Sequence, residues 1–267
     1  MVKVGIALGG GFARGIAHIG VLEALAAHHV PVDLVAGTSA GSLVGAMYCA
    51  GLDPDPLAHV CEQLNWRALV RLQLRRDGLL DSEGLERFLL GTIGDLTFDE
   101  MRIPFAATAT DLMTGQPVIF ESGRVAPAVR ASCAFPGIFR PLRIGAHTLV
   151  DGGLTHPVPA EVARQMGADL VIAVNLSRPR DVVEPPRNLL HIMLYSLALV
   201  QRPQIEASLR AADVVVEPDL NDFSAIELER VHDLIETGRL AAEDAMPAIQ
   251  EALARVRTGQ QAVPAGE

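Results

Sequence analysis

Two short stretches of this 267-residue chain carry the residue types from which hydrolytic chemistry is built. The first is Gly37-Thr38-Ser39-Ala40-Gly41, a G-x-S-x-G pentapeptide between the apolar run Val32–Ala36 and the small-residue run Ala40–Ala50. A serine on a sharp strand-to-helix turn presents its hydroxyl at the top of a sheet, and the flanking residues must be tiny for the chain to turn there. The helix dipole and the Ala40 N–H would favour negative charge developing at that point. The plain alternative is that Ser39 only caps a helix. The second stretch is His147-Thr148-Leu149-Val150-Asp151-Gly152-Gly153, where a carboxylate ends an apolar strand ahead of two glycines. Asp151 reads either as a general base or as the start of a common Asp-Gly-Gly turn.

A third stretch, Gly9-Gly10-Gly11, follows an apolar run and leads into a helical pattern. Successive glycines at a helix start leave backbone N–H groups pointing at one anion. A Walker loop would need Gly-Lys-Ser/Thr next, and none follows. A dinucleotide loop would need a second glycine where Phe12 stands, and an acid at the far end of the second strand, whereas Asp33 lies at its beginning. An oxyanion hole for acyl transfer is built from the same kind of loop, and the G-x-S-x-G motif favours that reading. A serine hydroxyl also needs a base. The late histidines are His147, His156, His191 and His232. His191 opens an apolar helix and His232 lies in a charged one, so Asp151 is the better candidate.

These residues must be positioned by a frame whose rhythm is strand–helix–strand–helix: Val2–Leu8, Arg14–His29, Val32–Ala36, Ala40–Ala50. That order predicts an α/β fold with a mainly parallel sheet and helices on its faces. In the middle, Leu57–Leu74, Glu83–Leu90 and Val125–Ser132 read as helices, and Pro104–Thr110, Pro117–Phe120 and His147–Val150 as strands. The rhythm resumes with helix Ala160–Met166, strand Leu170–Asn175, helix Leu189–Leu209, strand Val214–Glu217 and a last helical stretch from Ile226 to about Val256, interrupted by Pro247. Ser177–Asn188 reads as a surface loop. One domain over residues 1–256 with a flexible tail at 257–267 is the expectation.

Hydrophobic residues make up 49% and charged residues 20% of the chain, a core-rich globular composition. A formal net charge of −10 argues against a nucleic-acid partner. Cys49, Cys61 and Cys133 have no metal-type spacing and suit a reducing compartment. The opening MVKVGIALGGG lacks the pattern of a secretory leader, so a cytoplasmic protein is expected. Ile192–Val200 is too short to span a bilayer and reads as core, or as an acyl-chain wall. Trp66-Arg67-Ala68-Leu69-Val70-Arg71-Leu72-Gln73-Leu74-Arg75-Arg76 reads as a helix with arginines every fourth residue. It is either an ordinary core-packed helix or a basic face for peripheral contact with the inner side of an anionic membrane.

Taken in order, Gly9-Gly10-Gly11-x-x-Arg14-Gly15, Gly-Thr-Ser-Ala-Gly and Asp-Gly-Gly resemble the motifs of the patatin-like phospholipases, in particular bacterial members related to the neuropathy target esterase catalytic domain. The resemblance spans about residues 1–255 and includes 130–141 and 212–220. It implies a three-layer α/β sandwich and a Ser–Asp dyad without a catalytic histidine, Ser39 as nucleophile and Asp151 as general base. It also implies an oxyanion hole from the amides of Gly10, Gly11 and Phe12, beside that of Ala40, with Arg14 holding the loop. Gly9, Gly15, Gly37, Gly41, Gly152 and Gly153 complete the motifs. The implied substrate is a lipid or simpler ester, with no cofactor and no metal; the alternative is a non-catalytic lipid-binding module on the same fold. Two positions depart from the pattern. Phe12 stands where relatives carry a small residue, and its ring would cover the site or line the acyl channel. His156 stands where Asn is usual, which leaves a histidine-assisted mechanism as a minority reading.

Overall fold

The computed structural model describes residues 2–62, 71–75, 78–177, 189–224 and 230–259. Its strands are β1 (Val4–Leu8), β2 (Leu34–Thr38), β3 (Arg71–Arg75), β4 (Gly78–Asp81), β5 (Phe105–Asp111), β6 (Pro117–Phe120), β7 (Leu142–Ile144), β8 (His147–Asp151), β9 (Leu170–Val174) and β10 (Val214–Val216). Its helices are α1 (Ala17–Ala27), α2 (Ala40–Cys49), α3 (Pro54–Glu62), α4 (Glu83–Ile93), α5 (Val125–Ser132), α6 (Ala160–Gln165), α7 (Leu189–Leu209) and α8 (Val231–Arg257).

β1, β2 and β9 are apolar or small throughout and buried along their whole length, as strands covered on both faces must be. They lie in a sheet of order β10-β9-β1-β2-β5-β8-β7, with β6 also on β5. β10, β9, β1, β2 and β5 run parallel; β6, β7 and β8 add antiparallel pairs at one side. The period of two along each strand sorts side chains by size. Ile6 and Leu8 of β1 and Leu170 and Ile172 of β9 face the larger core, shared with α1, α2, α5 and α8. Ala7, Val171 and Ala173 face the other way, against Ala160, Val162 and Ala163 of α6 and Ile205 of α7. The result is a three-layer α/β sandwich about a mainly parallel sheet, as expected.

The register around β5 places the site. β2 and β6 both pair with Ala107 and Thr108, so they occupy opposite edges of β5. β6 and β8 both pair with Ala109 and Thr110, so they too are on opposite edges. β2 and β8 therefore share one edge and run toward each other along it. β2 stops at Thr38, opposite Thr108, and β8 stops at Asp151, opposite Ala109. The residues that follow or end these strands, Ser39 and Asp151, meet head to head.

Several expected boundaries are corrected. The helix expected over Leu57–Leu74 is described as α3 as far as Glu62, and Arg71–Arg75 is not helix but strand β3, paired antiparallel with β4. Its alternation Arg71-Leu72-Gln73-Leu74-Arg75 is a period of two, and Asp77-Gly78 is a hairpin signal. The basic amphipathic helix over 66–76 is thereby overturned at 71–75; residues 63–70 and 76–77 lie outside the described residues. Arg14–His29 divides into a 3-10 turn, Phe12–Ile16, and α1. Pro247 does not interrupt α8, since a proline removes one N–H donor while the flanking Met246 and Ile249 stay buried. Ile192, Leu199 and Val200 are 49%, 57% and 70% exposed, so that run is not core. The loop residues 178–188, the expected helix start at 226–229 and residues 260–267 of the expected tail lie outside the described residues, while Arg257 still belongs to α8. Among the described residues, no helix is long and apolar enough to cross a membrane.

Candidate active site

Ser39 sits between β2 and α2 with φ +53° and ψ −123°, a conformation that side-chain-bearing residues rarely adopt. Such strain persists only where the surroundings over-determine it. Here the Ser39 carbonyl accepts the amides of Ser42 (2.8 Å) and Leu43 (3.1 Å) and the Ser42 hydroxyl (2.7 Å). Its own N–H donates to Ser132 Oγ at 2.8 Å, at the end of α5. Gly41 lies so close to the Leu8 carbonyl that no Cβ fits between them. Gly37 is similarly pressed on the backbone of Ser42.

The Ser39 hydroxyl donates to Asp151 Oδ2 at 2.7 Å. The other carboxylate oxygen accepts the Gly153 N–H at 2.8 Å, in the short 3-10 turn Gly152–Leu154. Asp151 is anchored through its backbone as well: its N–H donates to the Ala134 carbonyl (2.9 Å), and its carbonyl accepts the Thr110 hydroxyl (3.1 Å). Gly152 packs on Thr108 with no room for a side chain, and the Gly153 carbonyl accepts Gln201 Nε2 of α7 at 2.6 Å. Burial pushes the Asp151 carboxyl up to about 6, against the weaker opposing effect of the Ser39 and Gly153 donors.

The glycine loop runs close to Ser39. Gly9 donates to the Val174 carbonyl at 3.1 Å. Gly10 lies against Ser39 Cβ, but its amide donates to the Pro157 carbonyl at 3.0 Å, which removes Gly10 from the expected set of oxyanion donors. The amides of Gly11, Phe12 and Ala40 have no hydrogen-bond acceptor among the described residues. Arg14 Nε and Nη2 both reach the Phe223 carbonyl, at 3.1 and 2.7 Å, tying the loop to a distant segment. Gly15 packs directly on the Ala40 side chain at the start of α2.

Three supporting groups were not foreseen. Ser132 holds the Ser39 amide, and Ser42 holds its carbonyl. His18, fully buried on α1, donates from Nε2 to the Gly9 carbonyl at 2.8 Å; a carbonyl can only accept, so Nε2 carries the proton. Its Nδ1 has no partner among the described residues, and burial holds the ring down at about 4, hence neutral. The one sequence signal was a lone polar ring inside the apolar run Ile16–Leu22. The Cys133 thiol lies 3.9 Å from Ser42 Oγ and is pushed up by burial. The His156 ring bonds neither Ser39 nor Asp151; its carbonyl accepts the Thr38 hydroxyl at 2.7 Å, and burial holds its pKa below the usual value. His147 is drawn off to Asp111 and His232 to Glu62; the His191 side chain lies outside the described residues.

The arrangement joins a hydroxyl and a carboxylate able to take its proton, next to a glycine loop and a helix start whose amides at Gly11, Phe12 and Ala40 have no acceptor among the described residues. Its fold and motifs define the class. The family profile for patatin-like phospholipases matches residues 6–164. An uncharacterised NTE family protein of Mycobacterium tuberculosis is 37% identical over 178 residues, covering 66% of this chain and 49% of that protein. A second from the same organism is 30% identical over 92% of this chain and 47% of that protein. A protein named lysophospholipase, from Aspergillus fumigatus, is 32% identical over 65% of this chain and 12% of its own length. The chain thus spans about half the length, or less, of these relatives. Among solved structures, VipD from Legionella pneumophila shares the fold at TM-score 0.61 with 12% identity, covering 92% of this chain and 67% of that one. The chain belongs to the patatin-like phospholipase family.

Proposed function

We propose that the protein is a serine lipid acyl hydrolase acting on carboxylic esters of phospholipid, lysophospholipid or simpler type. The observation that carries the reading is the 2.7 Å hydrogen bond from Ser39 Oγ to a buried carboxylate raised to about 6. Ser39 Oγ attacks the ester carbonyl carbon while its proton passes to Asp151 Oδ2. The carbonyl π electrons move onto oxygen, and the amides of Gly11, Phe12 and Ala40 stabilise that oxyanion. Collapse breaks the bond to the leaving oxygen, which takes the proton from Asp151, and an acyl-serine remains. Water attacks the acyl carbon as Asp151 takes its proton, the bond to Ser39 Oγ breaks, Oγ takes the proton back from Asp151, and the carboxylic acid departs. An ordinary carboxylate is a weak base; burial that lifts it to about 6 brings it near the range where a base is efficient yet still ionised at neutral pH. A lipid substrate is supported by the family and by the relative named lysophospholipase.

A fluorophosphonate probe tests the nucleophile. Ser39 is expected to carry the adduct, located by peptide mass, and Ser39→Ala is expected to lose both labelling and hydrolysis of p-nitrophenyl esters and lysophospholipid. Labelling undiminished in Ser39→Ala would falsify the assignment.

A further inference from the structure

We propose that Phe12 and Phe135 form an aromatic wall beside the acyl carbonyl, which makes the site selective for straight-chain acyl groups over those branched next to the carbonyl. The proposal rests on the hydrolase reading and adds the substrate geometry. Three non-glycine residues in the described structure have positive φ: Phe12 at 52°, His29 at 54° and Ser39 at 53°. Two of them flank the site. At Ser39 the strain aims the hydroxyl. At Phe12 a glycine would take the same conformation without strain, so the backbone gives no reason for a large side chain there.

The side chain has a partner instead. The Phe12 ring meets the Phe135 ring with centroids 4.7 Å apart and planes tilted by 56°, a favourable aromatic geometry. The two rings belong to two separate segments, each of which borders the dyad. Phe12 follows Gly10 and Gly11, and a side chain added at Gly10 would meet Ser39 Cβ at 3.4 Å. Phe135 follows Ala134, whose carbonyl holds the Asp151 amide, and Ser132, whose hydroxyl holds the Ser39 amide. Both residues are half-buried. A residue whose N–H stabilises the oxyanion has its Cβ only a few bonds from that N–H. The Phe12 ring therefore stands beside the substituents on the carbonyl carbon, and Phe135 stops it from swinging away. A linear chain passes such a wall; a second methyl on the adjacent carbon meets it.

The test compares kcat/KM for p-nitrophenyl butyrate and p-nitrophenyl isobutyrate, which have the same atoms and leaving group. In Phe12→Gly and in Phe135→Ala the butyrate-to-isobutyrate ratio is expected to fall by about tenfold, the scale on which a pocket discriminates one methyl group. The fall should come mainly from faster isobutyrate turnover. Glycine suits the backbone at residue 12, and residue 135 contributes no amide to the proposed hole, so Phe135→Ala reads the wall independently of the oxyanion donors. A ratio in Phe135→Ala within about twofold of the unmodified protein overturns the wall. An unmodified protein that neither labels at Ser39 nor hydrolyses either ester overturns the hydrolase reading instead, so the two failures are distinguishable.

Discussion

Asp151 shows how one residue's surroundings set its chemistry. Burial raises its carboxyl to about 6, while two donors keep the ionised form in place. Asp151→Asn keeps the shape and can still accept the Gly153 N–H, but it has no basic lone pair for the serine proton. Turnover of p-nitrophenyl butyrate is expected to drop by roughly 10²–10⁴-fold, the usual contribution of a general base. The thermal midpoint should not fall, because a buried charge has been removed. At this scale the sequence was most informative. Ser39, Asp151 and the glycine triplet announce themselves by residue type and spacing. What it could not show was which glycine amide has no acceptor among the described residues. Gly10 loses its amide to the Pro157 carbonyl, a contact between segments far apart in the chain, and His18 finds the Gly9 carbonyl only once the loop folds back on α1.

The elements bring the dyad together because β2 and β8 end nose to nose on the same edge of β5. Each element in turn depends on close approaches where the chain has no side chain to spare. Gly41→Ala is expected to cost about 3 kcal/mol or more in urea unfolding, since its Cβ would meet the Leu8 carbonyl, which is backbone and cannot rotate aside. Gly91→Ala in α4 meets nothing within 4 Å and is expected to add about 0.5–1 kcal/mol of stability by the same measurement. The strand–helix alternation was legible at both ends of the chain, where runs are long and apolar. It failed at β3, where five residues of alternating Arg, Leu and Gln were read with a helical period. It also missed β7, whose three residues are too few to show any period.

Over the whole molecule, two buried groups oppose each other in acid. Asp151 ordinarily titrates at 3.8 and here near 6, so its contribution to stability is full below 3.8 and is lost as pH rises through 6. His18 ordinarily titrates at 6.5 and here near 4, so its contribution is full above 6.5 and is lost as pH falls through 4. Between pH 6 and 4 the two slopes have opposite signs. Asp151→Asn removes one of them, so the unfolding free energy of the variant is expected to fall over that interval by about 2–3 kcal/mol more than that of the unmodified protein. Urea titrations at several pH values check this. Neither shift could be read from residue type, because burial comes from the packed layers: His18 under the larger core, Asp151 at the meeting of two strand ends.

The measurement closest to the central claim is the rate of Ser39 acylation by p-nitrophenyl butyrate across pH 4.5–9, in the unmodified protein, Asp151→Asn and His156→Ala. The account predicts a rate that climbs through an apparent pKa of about 6 and then levels, unchanged in shape by His156→Ala and lost in Asp151→Asn. It is contradicted by an Asp151→Asn protein that acylates nearly as fast as the original, or by a climb that survives there and vanishes with the imidazole of residue 156.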